Sequence, residues 1–133
     1  MDLRILEIAS NTENNKILDK HTHKSKNKNP ICGDEMEISL LIKDNKVIDM
    51  GYQCKSCVYC QASVSLLSQN IKNKNLEEIK DLINTCEKVF DNTKIILEKK
   101  WINFKEIFNK NNLSRKECLL LPMRTVLKAL KLQ

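Results

Sequence analysis

Cys32 stands two residues before Asp34 in the run Asn29-Pro30-Ile31-Cys32-Gly33-Asp34. Pro30 stiffens the approach, and Gly33 permits a tight backbone turn. A thiolate and a carboxylate can therefore point from one loop toward a common centre, which is half of a site for zinc or iron. The plainer reading is a buried cysteine beside a capping aspartate.

Cys57 lies where a predicted strand ends and the helix containing Ala62 begins. A thiol at a helix N-terminus feels the positive end of the dipole and the exposed N–H groups, both of which favour the thiolate. That form is both a metal ligand and a sulfur nucleophile. Cys118 has a similar place, just before Leu119-Leu120-Leu121-Pro122 and a final helix, with Arg115 three residues earlier able to stabilise its thiolate. Three cysteines at element ends, spread along the chain, are more than packing residues.

Cys54 and Cys60 flank Cys57 in Cys54-Lys55-Ser56-Cys57-Val58-Tyr59-Cys60. As a triplet they can supply three ligands, but if residues 58–60 open a helix, Cys60 points away from Cys57. The two then read as spare thiols or partly buried fillers. Cys86 sits on an apolar helical face and reads as core. His21 and His23 fall in a polar stretch and read as solvated.

The elements that must position these residues follow from apolar periodicity. Residues 3–10 predict a short helix, and residues 11–29, almost devoid of apolar side chains, predict a polar loop or arm. Met36, Ile38, Leu40 and Ile42 alternate with other residues, as do Ile48, Met50 and Tyr52. With Lys43-Asp44-Asn45-Lys46 between them, residues 35–53 predict a β-hairpin. Helical spacing then covers 58–72, 76–90 and 94–109, and a last helix is expected to begin near Pro122, which suits a first helical position. The expected fold is α+β, a small antiparallel sheet packed against several helices in one domain spanning 1–133.

Length agrees with one domain: 133 residues leave little room for a second. No apolar run approaches the roughly 20 residues that cross a bilayer. The first residues, Met1-Asp2-Leu3-Arg4, do not read as a signal peptide, so a cytoplasmic location is expected. Six cysteines in a reducing compartment suggest metal or thiol chemistry rather than disulfides. Lys+Arg total 23 against 17 Asp+Glu, a net charge of +6. A basic balance can signal nucleic acid. Here only three arginines occur among many Lys, Asn and Ile residues, a bias expected of an AT-rich coding sequence.

Taken in order, the motifs resemble a known family. Asn-Pro-x-Cys32-Gly33-Asp34 before a hairpin, Cys57 followed by Gln61-Ala62-Ser63-Val64-Ser65, and Arg115-x-x-Cys118 before a closing helix look like the U-type iron–sulfur scaffold family. That family includes IscU, SufU and the N-terminal domain of NifU. Arg4-Ile5-Leu6-Glu7 also resembles the family's first helix. The SufU-like branch fits best, because about 60 residues separate Cys57 from Cys118, Glu117 stands where IscU-type members usually carry His, and Leu121-Pro122 follows. Cys54 and Cys60 depart from the usual pattern.

The resemblance implies that Cys32, Asp34, Cys57 and Cys118 surround one metal site, holding zinc or an iron–sulfur cluster, with 2Fe–2S the expected form if a cluster. It implies a scaffold or zinc-dependent sulfur acceptor rather than a conventional enzyme. Cys32 is the expected acceptor and Cys118 the second choice. The implied partners are a SufS-like cysteine desulfurase and apo iron–sulfur acceptor proteins, with no membrane and no nucleic acid. The alternatives are a zinc-stabilised nucleic-acid-binding module, suggested by the basic charge and the 54–60 cysteines, and a thiol-redox protein using Cys54 and Cys57.

Overall fold

A computed structural model describes residues 3–30, 33–91 and 97–131. Within them lie helix α1 (Leu3–Ala9), strands β1 (His23–Lys28), β2 (Glu35–Lys43) and β3 (Lys46–Lys55), and helices α2 (Val58–Asn70), α3 (Leu76–Val89) and α4 (Lys116–Lys131). Two 3₁₀ segments, Lys99–Glu106 and Lys110–Arg115, precede α4. The expected α+β architecture is present.

The predicted hairpin forms from β2 and β3. Asp44 and Asn45 both adopt positive φ, 52° and 64°, as a two-residue turn between right-twisted strands demands. Asn and Asp tolerate that region better than other residues with side chains. Met36, Ile38 and Leu40 pair with Cys54, Tyr52 and Met50 across the hairpin, and all but Cys54 are buried. α4 packs on β1 and β2, and α2 lies between α1 and α4.

Residues 11–29, expected as a polar loop or arm, are held more firmly than their composition suggests. β1 occupies 23–28 and pairs antiparallel with β2, from His23 opposite Leu40 to Lys28 opposite Glu35. Backbone hydrogen bonds build this edge strand, so apolar alternation is not required. Ser25 points inward, donating to the Thr125 carbonyl at 2.7 Å. Asn14 is also buried. Its carbonyl accepts from Tyr52 N–H at 3.1 Å, its amide donates to Ser68 at 3.0 Å, and its Oδ1 accepts from Lys72 at 2.7 Å.

Helix α2 is covered on nearly every side, from Ala62 through Ser68. Its serine hydroxyls are buried yet satisfied: Ser63 donates to Leu119 O at 2.6 Å, and Ser65 to Asn11 O at 2.7 Å. α3 begins with a reciprocal capping box between Asn75 and Glu78, satisfying two otherwise orphaned N–H groups. The last helix departs from expectation, starting at Lys116 with Pro122 in its interior. Pro122 lacks the N–H that would bond back to the Cys118 carbonyl. The segment expected as a helix over 94–109 is 3₁₀ over 99–106, and residues 92–96 lie outside the described residues. Its aromatic residues do join the core, with Trp101, Phe104 and Phe108 all buried. Among the described residues, no helix is long and apolar enough to cross a membrane.

Candidate metal centre

Each ligand at the candidate centre is delivered by a different part of the fold. Asp34 comes from the loop between β1 and β2. That loop is closed at its neck by two backbone bonds: Asn29 N–H donates to Asp34 O, and Gly33 N–H donates to Asn29 O, both at 2.8 Å. Gly33 has φ +76°, a left-handed conformation that a side chain at this position would strain.

Cys57 is the N-cap of α2, with φ −70° and ψ 167°. Its N–H would be an orphan at the helix entrance, and it donates instead to Asp34 Oδ1 at 3.2 Å. Cys118 sits in the first turn of α4 and is buried. The Ser63 bond to Leu119 O fixes this turn against α2.

These placements bring one ligand atom each from Asp34, Cys57 and Cys118 within 4.8 Å of one another. Asp34 and Cys118 are both 6% exposed, while Cys57 is half-buried. Two thiolates and one carboxylate at this spacing are the donors of a zinc or iron site. Cys32, the fourth expected member and the expected acceptor, lies outside the described residues.

The neighbouring thiols behave differently. Cys60 has no exposed surface, and burial pushes its thiol well above the ordinary range. Burial also raises Cys54. Neither belongs to the group of Asp34, Cys57 and Cys118, so the zinc-bound cysteine triplet required by the nucleic-acid alternative draws no support. Cys86 is buried in the core as its helical face predicts, and burial pushes its thiol up to about 12.

Two residues singled out beside Cys118 are engaged elsewhere. The Arg115 guanidinium lies over the Tyr59 ring, 5.0 Å from its centroid. Glu117 accepts from Arg124, which also forks onto Glu87 at 2.8 and 3.1 Å. That bridge ties α4 to α3, and it engages the side chain preceding Cys118. His21 contacts the Leu18 carbonyl and His23 the Thr22 hydroxyl; neither joins the metal-capable group.

The sequence offers Asp34 as a capping residue, but nothing in it indicates that the N–H it meets is that of Cys57.

Comparison with known proteins identifies the family and the fold. The family model for the NifU-like N-terminal domain matches residues 2–103, ending before Cys118. The iron–sulfur cluster assembly scaffold protein IscU of Thermotoga maritima is 34% identical over 132 residues, covering 96% of this chain and 89% of the relative. The crystal structure of a NifU-like N-terminal protein from Brucella abortus superposes with a TM-score of 0.89 at 21% identity, covering 98% of this chain and 91% of the other. A structure solved as an iron–sulfur cluster assembly scaffold for the SUF system of Fervidobacterium islandicum gives 0.86 at 23% identity, covering 98% and 96%.

Proposed function

The chain belongs to the NifU-like N-terminal domain family, and from that premise we propose that it is a scaffold for iron–sulfur cluster assembly that accepts sulfur from a cysteine desulfurase. The observation that carries this reading is the convergence of Asp34, Cys57 and Cys118 from three separate elements to within 4.8 Å. Burial of Asp34 and Cys118 around a half-open Cys57 suits a cargo that must be held and then released.

Three donors leave a tetrahedral ion one ligand short. We assign Cys32 as the fourth, since it lies two residues from Asp34 along the chain. The cargo of this reading is a nascent cluster, 2Fe–2S in the first instance, or a zinc ion as the SufU-like branch implies. A bound ion keeps its cysteine ligands deprotonated.

Sulfur transfer begins when an acceptor thiolate attacks the outer sulfur of the donor's persulfide. A new S–S bond forms on the acceptor, the donor's S–S bond breaks, and the donor cysteine leaves as thiolate. Cys32, beside Gly33, is our first choice of acceptor, and Cys118 the second. Asp34 is the hard oxygen donor among soft sulfurs and so the most exchangeable of the four. The partners are a SufS-like desulfurase and apo iron–sulfur proteins.

Metal analysis and a visible spectrum of anaerobically purified protein test this directly. Brown protein that passes its cluster to an apo-acceptor supports the scaffold role. Colourless zinc protein that stimulates a desulfurase supports sulfur acceptance in the SufU manner. Protein that binds neither metal and leaves the desulfurase unaffected overturns the proposal.

A further inference from the structure

Cys57 and Cys60 bracket the first turn of α2. The Cys57 carbonyl accepts the opening helical bond from Gln61 N–H at 3.1 Å, and Cys60 follows three residues later, sealed from solvent. Cys60, expected from the opening of this helix to point away from Cys57, lies within electrostatic reach of it, and residues three apart at a helix have Cβ atoms about 5–6 Å apart. An N-cap has freer dihedrals than the helix body, so a modest adjustment brings such a pair to disulfide geometry.

The two thiols are unlike. Cys57 is half-buried and belongs to the group with Asp34 and Cys118. Cys60 lies deeper, within electrostatic reach of Asp34, Cys54 and Cys57. An accessible attacking cysteine at a helix N-terminus, backed by a buried one a turn later, is the layout of a dithiol redox pair. The metal centre leaves Cys60 without a role.

We propose that Cys57 and Cys60 act as an internal dithiol that reduces sulfane sulfur to sulfide at the assembly site. This rests on the reading that sulfur arrives as a persulfide. Such sulfur must gain two electrons before it can enter a cluster as sulfide.

With the persulfide on Cys118, the second-choice acceptor and the one whose sulfur lies within 4.8 Å of that of Cys57, the Cys57 thiolate attacks its outer sulfur. The Cys118 S–S bond breaks, Cys118 leaves as thiolate with the electron pair, and Cys57 becomes the persulfide. Cys60 then attacks the inner sulfur of that persulfide. A Cys57–Cys60 disulfide forms, and the outer sulfur departs with the electron pair and takes up the Cys60 proton as hydrogen sulfide. The two cysteines are oxidised by two electrons, and the sulfur is reduced by the same two. An external dithiol regenerates the pair by thiol–disulfide exchange.

The test uses the full chain, purified anaerobically, given one equivalent of cysteine persulfide and desalted. The expected result is release of one sulfide per chain with loss of two free thiols. Trypsin cuts after Lys55 and Lys72, so Cys57 and Cys60 share one peptide while Cys54 lies in the preceding one. The disulfide then appears as two hydrogens missing within peptide 56–72. In Cys60→Ser and Cys60→Ala, sulfide release falls about tenfold or more, because no resolving thiol remains. Peptide 56–72 then retains an extra sulfur.

Cobalt binding by the Asp34, Cys57 and Cys118 group reports whether each variant is folded. If neither folds, the peptide map of the unaltered chain decides. Sulfane sulfur retained on that chain, a disulfide joining the Cys54 peptide, or sulfide release at the unaltered rate from a folded variant overturns the dithiol. Failure of the unaltered chain to bind metal strikes the scaffold reading instead, so the two failures are separable.

Discussion

Asp34 accepts a hydrogen bond from the N–H of Cys57 at 3.2 Å, so one side chain serves the metal-capable group and also caps the helix that carries a second member of it. Position and chemistry are coupled at this residue. Asp34→Ala removes the exchangeable oxygen donor and is expected to slow transfer of a bound cluster to an apo-acceptor by about threefold to tenfold. Asp34→Asn keeps an acceptor for the Cys57 N–H and separates the capping role from the donor role. Transfer followed by circular dichroism in the visible range checks this, and unchanged rates in both variants would count against it.

Cys57→Ser and Cys118→Ser each remove a thiolate from the group of three. Loss of a mere outer-shell partner weakens metal binding by about 10–100-fold, so loss of either cysteine is expected to exceed that range. Competition against a chromophoric zinc chelator measures it. Cys86→Ser, outside the group, should leave affinity unchanged.

Gly51 fixes the path of residues 14–18. A Cβ there would press into the Lys16 carbonyl oxygen and meet Leu18 Cγ and Ser39 Oγ at 3.2 Å each. Gly51→Ala is therefore expected to destabilise the protein by about 1–3 kcal/mol, as overpacking does. A urea midpoint reports the loss. Faster amide exchange at Tyr52, whose N–H is held by Asn14 O, would locate it.

Burial raises the Cys86 thiol from an ordinary 9.0 to about 12. The folded state thus holds this proton where the unfolded chain has released it. The contribution is full below pH 9, and it declines by about 1.4 kcal/mol per pH unit as pH rises toward the folded value. Cys86→Ala removes this titrating group, so its stability should fall less steeply across the same window. Denaturation at several alkaline pH values under reducing conditions compares the slopes, and parallel curves would contradict the assignment.

Much of the frame was legible because its signals are local. Alternation of Met36, Ile38 and Leu40 marks one buried strand face, and Asp44-Asn45 satisfies a turn that needs positive φ. The spacing of Leu76, Ile79, Leu82, Ile83 and Cys86 marks a helix with one wet side. Where burial comes from all sides, periodicity fades. Helix α2 hides Ser63, Ser65 and Ser68 along with its apolar residues, so its central place could not be read from an apolar stripe. β1 was missed because an edge strand of Lys, Ser and Asn is held by backbone pairing and by one inward serine.

Read without coordinates, the residues already name the side chains able to bind metal and the short turns that present them: Gly33 before Asp34, and Cys57 at the head of a helix. It takes the folded chain to bring Cys118, about 60 residues further on, to meet them, to start its helix before rather than at Pro122, and to bury Cys60 within α2. Such contacts join segments distant along the chain. They are set by the packing of α4 on the sheet and α2, and no local pattern encodes them.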